Sequence, residues 1–259
     1  MSEAREITVG GVRLAYRESG DLAAPPLVLL HGLGEDSTGW DEVAAAFGDR
    51  FRVLAVDLRG HGHSGRPGTY SLSLMRDDVL GLLGELGLAQ ITLMGHSLGG
   101  AVAFLAAEAR PDLVGRLIVE DVTPTFRRDQ PLPERPDGPL GFDWDMVVAM
   151  LTEINQGDEV AWQQLSTITA PTLIVGGGPD SHIPAQKLAD AVARLPHGEL
   201  VTIPAGHYVH NRRPAEFIAA VREWLERLPG PGGSGLSGHR RRRPAAGRSG
   251  PGWGAGWRS

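Results

Sequence analysis

Short apolar runs recur along this chain, and segments with helical periodicity separate them. Leucine and β-branched residues dominate six of these runs, each about as long as one buried strand. The six runs occupy residues 27–30, 53–56, 91–94, 117–119, 172–175 and 200–203. A chain that alternates strands with helices buries both faces of its strands in a mostly parallel sheet covered by helices on each side.

A leading hairpin brings the predicted number of strands to eight. Residues 7–9 and 12–17 have strand character, and Gly10 and Gly11 between them form a favoured tight-turn pair. Helices are predicted at residues 73–86, 101–109, 144–154, 184–195 and 214–228. The fold class predicted is therefore α/β, with an eight-stranded, mostly parallel sheet and helices on both faces.

The 259 residues are enough for one large α/β domain, which we place at residues 1–228. Residues 124–170 separate two predicted strands by more than one crossover helix needs, so we interpret them as a short helical cap. From residue 229 to 259 the sequence is rich in glycine, proline and arginine, a composition that predicts a disordered tail.

Charge and apolar length exclude several classes of partner. The net charge is −6, and residues 229–259 carry six arginines and no acidic residue, so the body of the chain carries −12. An acidic body argues against nucleic acid as the main partner. No apolar run approaches the roughly 20 residues of a membrane helix, and the chain has neither cysteine nor an N-terminal signal core. These features predict a cytoplasmic protein that binds no membrane.

The most informative motif lies at residues 91–100, where a strand runs into Gly95-His-Ser97-Leu-Gly99 and then into a helix. A serine hydroxyl can project above a sheet only on a very sharp turn, and glycines relieve the clashes of such a turn. The N-terminus of the following helix favours negative charge that develops at the site. Ser97 is therefore predicted to be a catalytic nucleophile.

The sequence Gly-His-Ser-Leu-Gly-Gly at residues 95–100, in this strand–turn–helix context, resembles the α/β-hydrolase family. It is most similar to the esterase, lactonase and haloperoxidase-like serine hydrolases, and the resemblance covers about residues 5–228. The resemblance implies an oxyanion hole made by the backbone N–H groups of Leu33 and Leu98. It also implies that the catalytic residues follow in the order serine, acid, histidine.

Asp180 and His207 are the predicted acid and base. Asp180 lies in the loop after the strand at residues 172–175, with the Asp-x-x-x-Pro spacing that resembles the family form, and His207 follows Gly206 at the end of the next strand. Neutral His207 would accept the serine proton, and Asp180 would fix the imidazole tautomer.

Competing residues remain at both positions. Asp121 also ends a strand and is an alternative acid, because some relatives place the acid there. His210 is an alternative base, although a supporting hydrogen-bonding role is favoured for it. His31 and His96 are expected to shape the loop and the turn around the site, and His182 is expected to be a loop residue.

The substrate pocket is less defined by the sequence. Trp40 is expected near the oxyanion loop, with core packing as its alternative role. Trp144, Met150, Leu151 and Trp162 could line an apolar acyl pocket or form the core of the cap. Asp57 and Arg59 are expected to hold their loop in place. His61 and His63 lack a ligand cluster at familiar spacing, so no metal and no cofactor are predicted.

A serine at position 97 argues against the haloalkane dehalogenases and epoxide hydrolases of this family, which need an aspartate there. The expected activity is hydrolysis of small or medium carboxylic esters or lactones through an acyl-enzyme. Perhydrolase or haloperoxidase-like activity, carbon–carbon bond hydrolysis and proline-specific peptidase activity share the scaffold and remain alternatives. A small-molecule receptor that retains the triad is the alternative from another class. The sequence predicts no oligomeric state.

Overall fold

Eight strands form one sheet in the computed structural model, which describes residues 3–228. The strands are β1 (Glu3–Val9), β2 (Val12–Ser19), β3 (Pro26–Leu30), β4 (Arg52–Val56), β5 (Ile91–His96), β6 (Val114–Glu120), β7 (Thr172–Gly176) and β8 (Gly198–Thr202). Their order across the sheet is β1-β2-β4-β3-β5-β6-β7-β8. Only the β1–β2 and β2–β4 pairings within this sheet are antiparallel, so the predicted mostly parallel sheet is confirmed.

Within residues 3–228 eight α-helices accompany the strands, and five of them correspond to the helices predicted from the sequence. The eight helices are α1 (Asp41–Phe47), α2 (Leu72–Glu85), α3 (Leu98–Ala109), α4 (Trp144–Gln156), α5 (Glu159–Gln164), α6 (Ala185–Arg194), α7 (Val209–Arg212) and α8 (Pro214–Arg227). The hairpin turn also agrees with the prediction, since Gly10 and Gly11 have φ angles of 54° and 84°.

Both faces of the central strands are buried, and alternate residues enter two different cores. In β3, Val28 and Leu30 join the core formed with α2 and α3. Leu27 and Leu29 join the opposite core, formed with α1 and α8. This period of two explains why the strand reads as a continuous apolar run, as expected for a parallel sheet covered on both sides.

The segment between β6 and β7 interrupts the regular alternation of strands and helices. Residues 121–143 contain no helix or strand, and α4 and α5 then precede β7. The helix predicted at residues 144–154 corresponds to α4. The predicted tail at residues 229–259 lies outside the described residues. Among the helices of residues 3–228, none combines the length and apolar character needed to cross a membrane.

Candidate active site

Ser97 occupies the sharp turn between β5 and α3. Its φ angle of 49° lies in the left-handed region, which a serine rarely adopts. A Cβ atom on Gly95 would collide with the Gly99 backbone, and one on Gly99 would collide with the Leu30 carbonyl. The two glycines therefore permit the close backbone approach that presents Ser97 at the carboxyl edge of the sheet.

Two backbone N–H groups lie beside Ser97. Leu33, from the loop after β3, and Leu98, the first residue of α3, line the same cavity as Ser97. Within residues 3–228, neither amide N–H has a hydrogen-bond acceptor. The Gly99 N–H donates to the His31 carbonyl at 3.1 Å, which ties the loop after β3 to the turn. Both amides are therefore unpaired donors of residues in the cavity wall.

Two buried histidines hold the loop after β3 in place. His31 Nε2 accepts a hydrogen bond from the Leu58 N–H at 3.0 Å, and His61 Nε2 accepts one from the Gly34 N–H at 3.2 Å. Burial is the main cause that lowers the pKa of both rings, that of His61 to about 3. Both therefore act as neutral acceptors, as expected for the loop-shaping role of His31.

The Asp57 side chain accepts hydrogen bonds from two loops, through the N–H groups of Ser37 at 2.7 Å and His63 at 2.8 Å. Arg59 forms a buried ion pair with Asp78 on α2. These contacts match the predicted structural role of the pair Asp57 and Arg59.

The acid that contacts His207 is Asp121, and this corrects the sequence-based prediction of Asp180. His207 Nδ1 lies 2.8 Å from Asp121 Oδ2. Asp121 follows β6 directly and is fully buried, whereas Asp180 is exposed at the end of the short 3-10 turn Gly178–Asp180. Both aspartates follow neighbouring strands at the same sheet edge, so strand order alone does not select between them.

Three donors surround the Asp121 carboxylate. Besides His207, it accepts hydrogen bonds from the Gly177 N–H at 2.8 Å and from the Ser181 hydroxyl. Burial by itself would raise the pKa of Asp121, but these hydrogen bonds outweigh burial and hold the pKa below its usual value. Asp121 is therefore an ionised carboxylate facing the imidazole.

The loop that carries Asp180 does reach the site, but through different residues. Ser181 donates to Asp121, and the His182 ring centroid lies 4.1 Å from that of His207. Burial, the charge of His207 and the charge of Arg128 together lower the pKa of His182 to about 4. Sequence analysis did not single out Ser181. Asp121 was the alternative acid of the sequence analysis, on the signal that it ends an apolar strand.

His96, immediately before the nucleophile, supports the turn and the base. Its Nε2–H donates to the His207 carbonyl at 2.9 Å, and its Nδ1 lies 3.3 Å from Glu35 Oε2. Burial disfavours a charged His96, but the charge of Glu120 and the contact with Glu35 outweigh burial and raise the pKa of His96. Burial would likewise raise the pKa of Glu35, but His96 and the Gly32 N–H lower it to about 2.

His210 forms a second histidine–carboxylate pair that is sealed from the cavity. Its Nδ1 lies 2.6 Å from Glu120 Oε2, and its N–H donates to Glu120 Oε1 at 2.9 Å. The His210 ring stacks on Trp40, with centroids 4.1 Å apart. This arrangement agrees with the supporting role that the sequence analysis favoured for His210.

A cavity of about 260 Å³ lies above the turn. Ser97, Asp121 and His207 all line it, together with Leu33 and Leu98. In the described part of the chain, no hydrogen bond joins the side chains of Ser97 and His207. Catalytic hydrogen bonds often tighten only when substrate binds.

Four residues expected in or near the pocket do not line this cavity, namely Trp40, Trp144, Met150 and Trp162. Trp40 and Met150 are fully buried in the cores, and Trp144 packs against the core that includes α2 and α3. The Trp162 Nε1–H donates to the Thr125 carbonyl at 3.1 Å, and its ring faces a separate open groove. The prediction is corrected because helical spacing identifies a shared face but not which surface that face contacts. Leu151, which follows Met150 directly in α4, does line the cavity.

Comparisons with known proteins agree with this architecture. Residues 25–143 match the model of the alpha/beta hydrolase fold. The chain is 30% identical over 253 residues to the sn-1-specific diacylglycerol lipase ABHD11 of Mus musculus, covering 80% of this chain and 82% of that relative. It is 28% identical over 273 residues to an esterase of Mycobacterium tuberculosis, covering 87% of this chain and 90% of the esterase.

A solved structure extends the same comparison to the fold. A hydrolase from Pseudomonas aeruginosa superposes with a TM-score of 0.76 at 26% sequence identity, covering 86% of this chain and 98% of that chain. Relatives named as a lipase, an esterase and a hydrolase confirm the predicted enzyme class. The chain belongs to the alpha/beta hydrolase family.

Proposed function

We propose that this protein is a serine hydrolase in which Ser97, His207 and Asp121 act as nucleophile, base and orienting acid. The observation that carries the proposal is the 2.8 Å contact between His207 Nδ1 and Asp121 Oδ2, beside a serine held at a φ of 49°. A strained serine next to an oriented imidazole is the arrangement that activates a hydroxyl for acyl transfer.

In the acylation step, Ser97 Oγ attacks the substrate carbonyl carbon, and His207 Nε2 takes the hydroxyl proton. The N–H groups of Leu33 and Leu98 stabilise the oxyanion of the tetrahedral intermediate. The intermediate collapses when the carbon–oxygen bond to the leaving alcohol breaks and His207 returns the proton to that oxygen. The product of this step is an acyl ester on Ser97.

In the deacylation step, His207 removes a proton from water, and the resulting hydroxide attacks the acyl ester. Ser97 leaves with the proton held on His207, and the free acid departs. Throughout, Asp121 accepts the Nδ1–H of His207, which places the single proton of the neutral imidazole on Nδ1, leaves Nε2 as the proton acceptor and stabilises the imidazolium when it forms.

The substrate class we propose is a small or medium carboxylic ester or lactone. The cavity volume of about 260 Å³ lies just below the usual range for ligand pockets and favours a small acyl group. The names of the lipase and esterase relatives support ester cleavage.

A covalent-labelling experiment tests the nucleophile. We expect the protein to hydrolyse 4-nitrophenyl acetate and butyrate, and a fluorophosphonate to label one peptide, the one containing Ser97. Ser97→Ala should abolish both labelling and turnover. Ser166→Ala changes an exposed serine outside the cavity and serves as the matched control, with both signals retained. Turnover that persists in Ser97→Ala, or labelling of another peptide, would contradict the proposal.

A further inference from the structure

Arg128 is a cation in the wall of the catalytic cavity, and no part of the mechanism above uses it. It lies in the segment between β6 and β7 and lines both the cavity and an open groove outside it. Its Nε atom is buried and has no hydrogen-bond partner within residues 3–228. A buried donor on a charged group is costly to leave unpaired, so such a donor calls for an acceptor that enters with the ligand.

The other charged groups of the cavity wall are already paired. Glu35 binds His96 and the Gly32 N–H, and Asp121 binds its three donors. Among the carboxylates and guanidinium groups that line the cavity in the described chain, Arg128 is the group that lacks a charged or hydrogen-bonding side-chain partner. Burial lowers the pKa of Arg128, but a guanidinium stays protonated near neutral pH.

The position of Arg128 is fixed before any ligand binds. The Arg128 N–H donates to the Asn155 carbonyl at 3.0 Å, and Asn155 Nδ2 donates to the Gln130 carbonyl at 2.8 Å. These bonds fasten the loop to the end of α4. The guanidinium carbon lies 4.2 Å from the centre of the Phe126 ring, a stacking contact that leaves the in-plane N–H donors free. A preorganised guanidinium is suited to bidentate recognition of an anion.

We propose that Arg128 binds a carboxylate on the acyl side of the substrate, so that this hydrolase prefers monoesters of small dicarboxylic acids. This inference rests on the proposed function of the same site. A carboxylate carries one negative charge, whereas a phosphate carries nearly two at neutral pH. Since Glu35 and Asp121 also line the cavity as anions, the smaller charge fits a single guanidinium better.

The test compares two chromogenic esters of equal acyl length. The wild-type enzyme should hydrolyse 4-nitrophenyl hemiglutarate with a higher kcat/KM than 4-nitrophenyl pentanoate, which lacks the terminal carboxylate. Arg128→Gln should lower the ratio of the two kcat/KM values roughly 10- to 100-fold, the range expected for losing a hydrogen bond to a charged group. Arg128→Lys should restore part of the ratio, because lysine keeps the positive charge but cannot donate the two parallel hydrogen bonds of a guanidinium.

Arg127→Gln is the matched control. Arg127 is exposed, and it borders the outer groove but not the cavity, so this variant should keep the wild-type ratio. Thermal unfolding of each variant checks that it folds. An unchanged ratio in a folded Arg128→Gln protein, or an equal fall in the Arg127→Gln protein, would overturn the inference.

A competition experiment distinguishes a carboxylate from a phosphate as the ligand of Arg128. Glutarate should inhibit pentanoate hydrolysis competitively and more strongly than inorganic phosphate, and the reverse order would overturn the choice of a carboxylate.

The ester kinetics also distinguish failure of the Arg128 inference from failure of the hydrolase proposal. If the wild-type enzyme cleaves the pentanoate ester but shows no preference for the hemiglutarate, the hydrolase proposal stands and the Arg128 inference fails. If neither ester is cleaved, the hydrolase proposal fails. Calorimetric binding of glutarate to wild type but not to Arg128→Gln would then still support the anion site, and equal binding would overturn it.

Discussion

Two histidine–carboxylate pairs lie side by side at the end of β6, and they differ in what surrounds them. Asp121 binds His207 with Nδ1 to Oδ2 at 2.8 Å, and the His207 side chain is 15% exposed to the cavity. Glu120 binds His210 at 2.6 Å, but the His210 side chain is only 2% exposed and stacks on Trp40. Adjacent acids in the sequence therefore serve one pair that faces the cavity and one that is closed inside the core.

The backbone conformation explains why the Glu120 and Asp121 side chains point in different directions. Consecutive residues of a strand point to opposite faces, and Asp121 departs further from the strand with a φ angle of 47°. Glu120 therefore turns toward the core containing Trp40, while Asp121 turns toward the cavity. A short histidine–carboxylate contact thus does not by itself indicate catalysis, because access to a nucleophile and to substrate must accompany it.

The largest expected effect comes from the pair that faces the cavity. Asp121→Asn should lower kcat about 10⁴-fold, since an amide no longer selects the correct imidazole tautomer. Asp180→Asn, at the exposed position predicted from sequence, should leave kcat unchanged. Steady-state kinetics with 4-nitrophenyl butyrate distinguish the two. A severe loss in Asp180→Asn with a mild one in Asp121→Asn would reverse the assignment.

Loss of the buried contact between Glu120 and His210 should lower the free energy of unfolding. Glu120→Ala removes the carboxylate partner of a buried histidine and leaves two donors of His210 unpaired, which should cost about 1–3 kcal/mol of unfolding free energy for each donor. Urea unfolding at neutral pH measures this loss, with Asp121→Asn as the comparison. We expect kcat per folded molecule to fall much less than in Asp121→Asn. Equal stability of the Glu120→Ala and wild-type proteins would show that the sealed pair is not structural.

A third pair, between His96 and Glu35, lies beside both of these and predicts a pH dependence. The folded state lowers the pKa of Glu35 to about 2 from its usual value of about 4.5, so the folded protein binds this proton less readily than the unfolded chain does. The resulting stabilisation is present above about pH 4.5 and is lost as the pH falls toward 2. It amounts to at most about 3 kcal/mol.

Glu35→Gln should remove this dependence. Urea unfolding of wild type and variant between pH 2 and pH 5 should show a shallower decline of stability for the variant. A matched control is Glu134→Gln, which changes an exposed carboxylate and should leave the slope of the wild type. Parallel curves for Glu35→Gln and wild type would mean that the His96 contact does not stabilise the ionised carboxylate.

The sequence predicted those structural features that a single short segment of the chain determines. The strand–turn–helix at Ser97 requires its own glycines, and the apolar runs match the strands of the sheet to within a few residues. His207 was also predicted from a local signal, its place after Gly206. The acid was not, because Asp121 and Asp180 follow adjacent strands, and their spacing along the chain does not determine which carboxylate reaches His207.

The sequence by itself determined the alternation of strands and helices and the turn that presents Ser97, since each depends mainly on residues that are near neighbours in the chain. Only the tertiary structure decided that Asp121 orients His207, that Trp40 and Met150 lie in the cores, and that Arg128 enters the cavity wall. Each of these depends on contacts between segments that lie far apart in the chain. Distances between such segments arise from packing, which residue spacing does not encode.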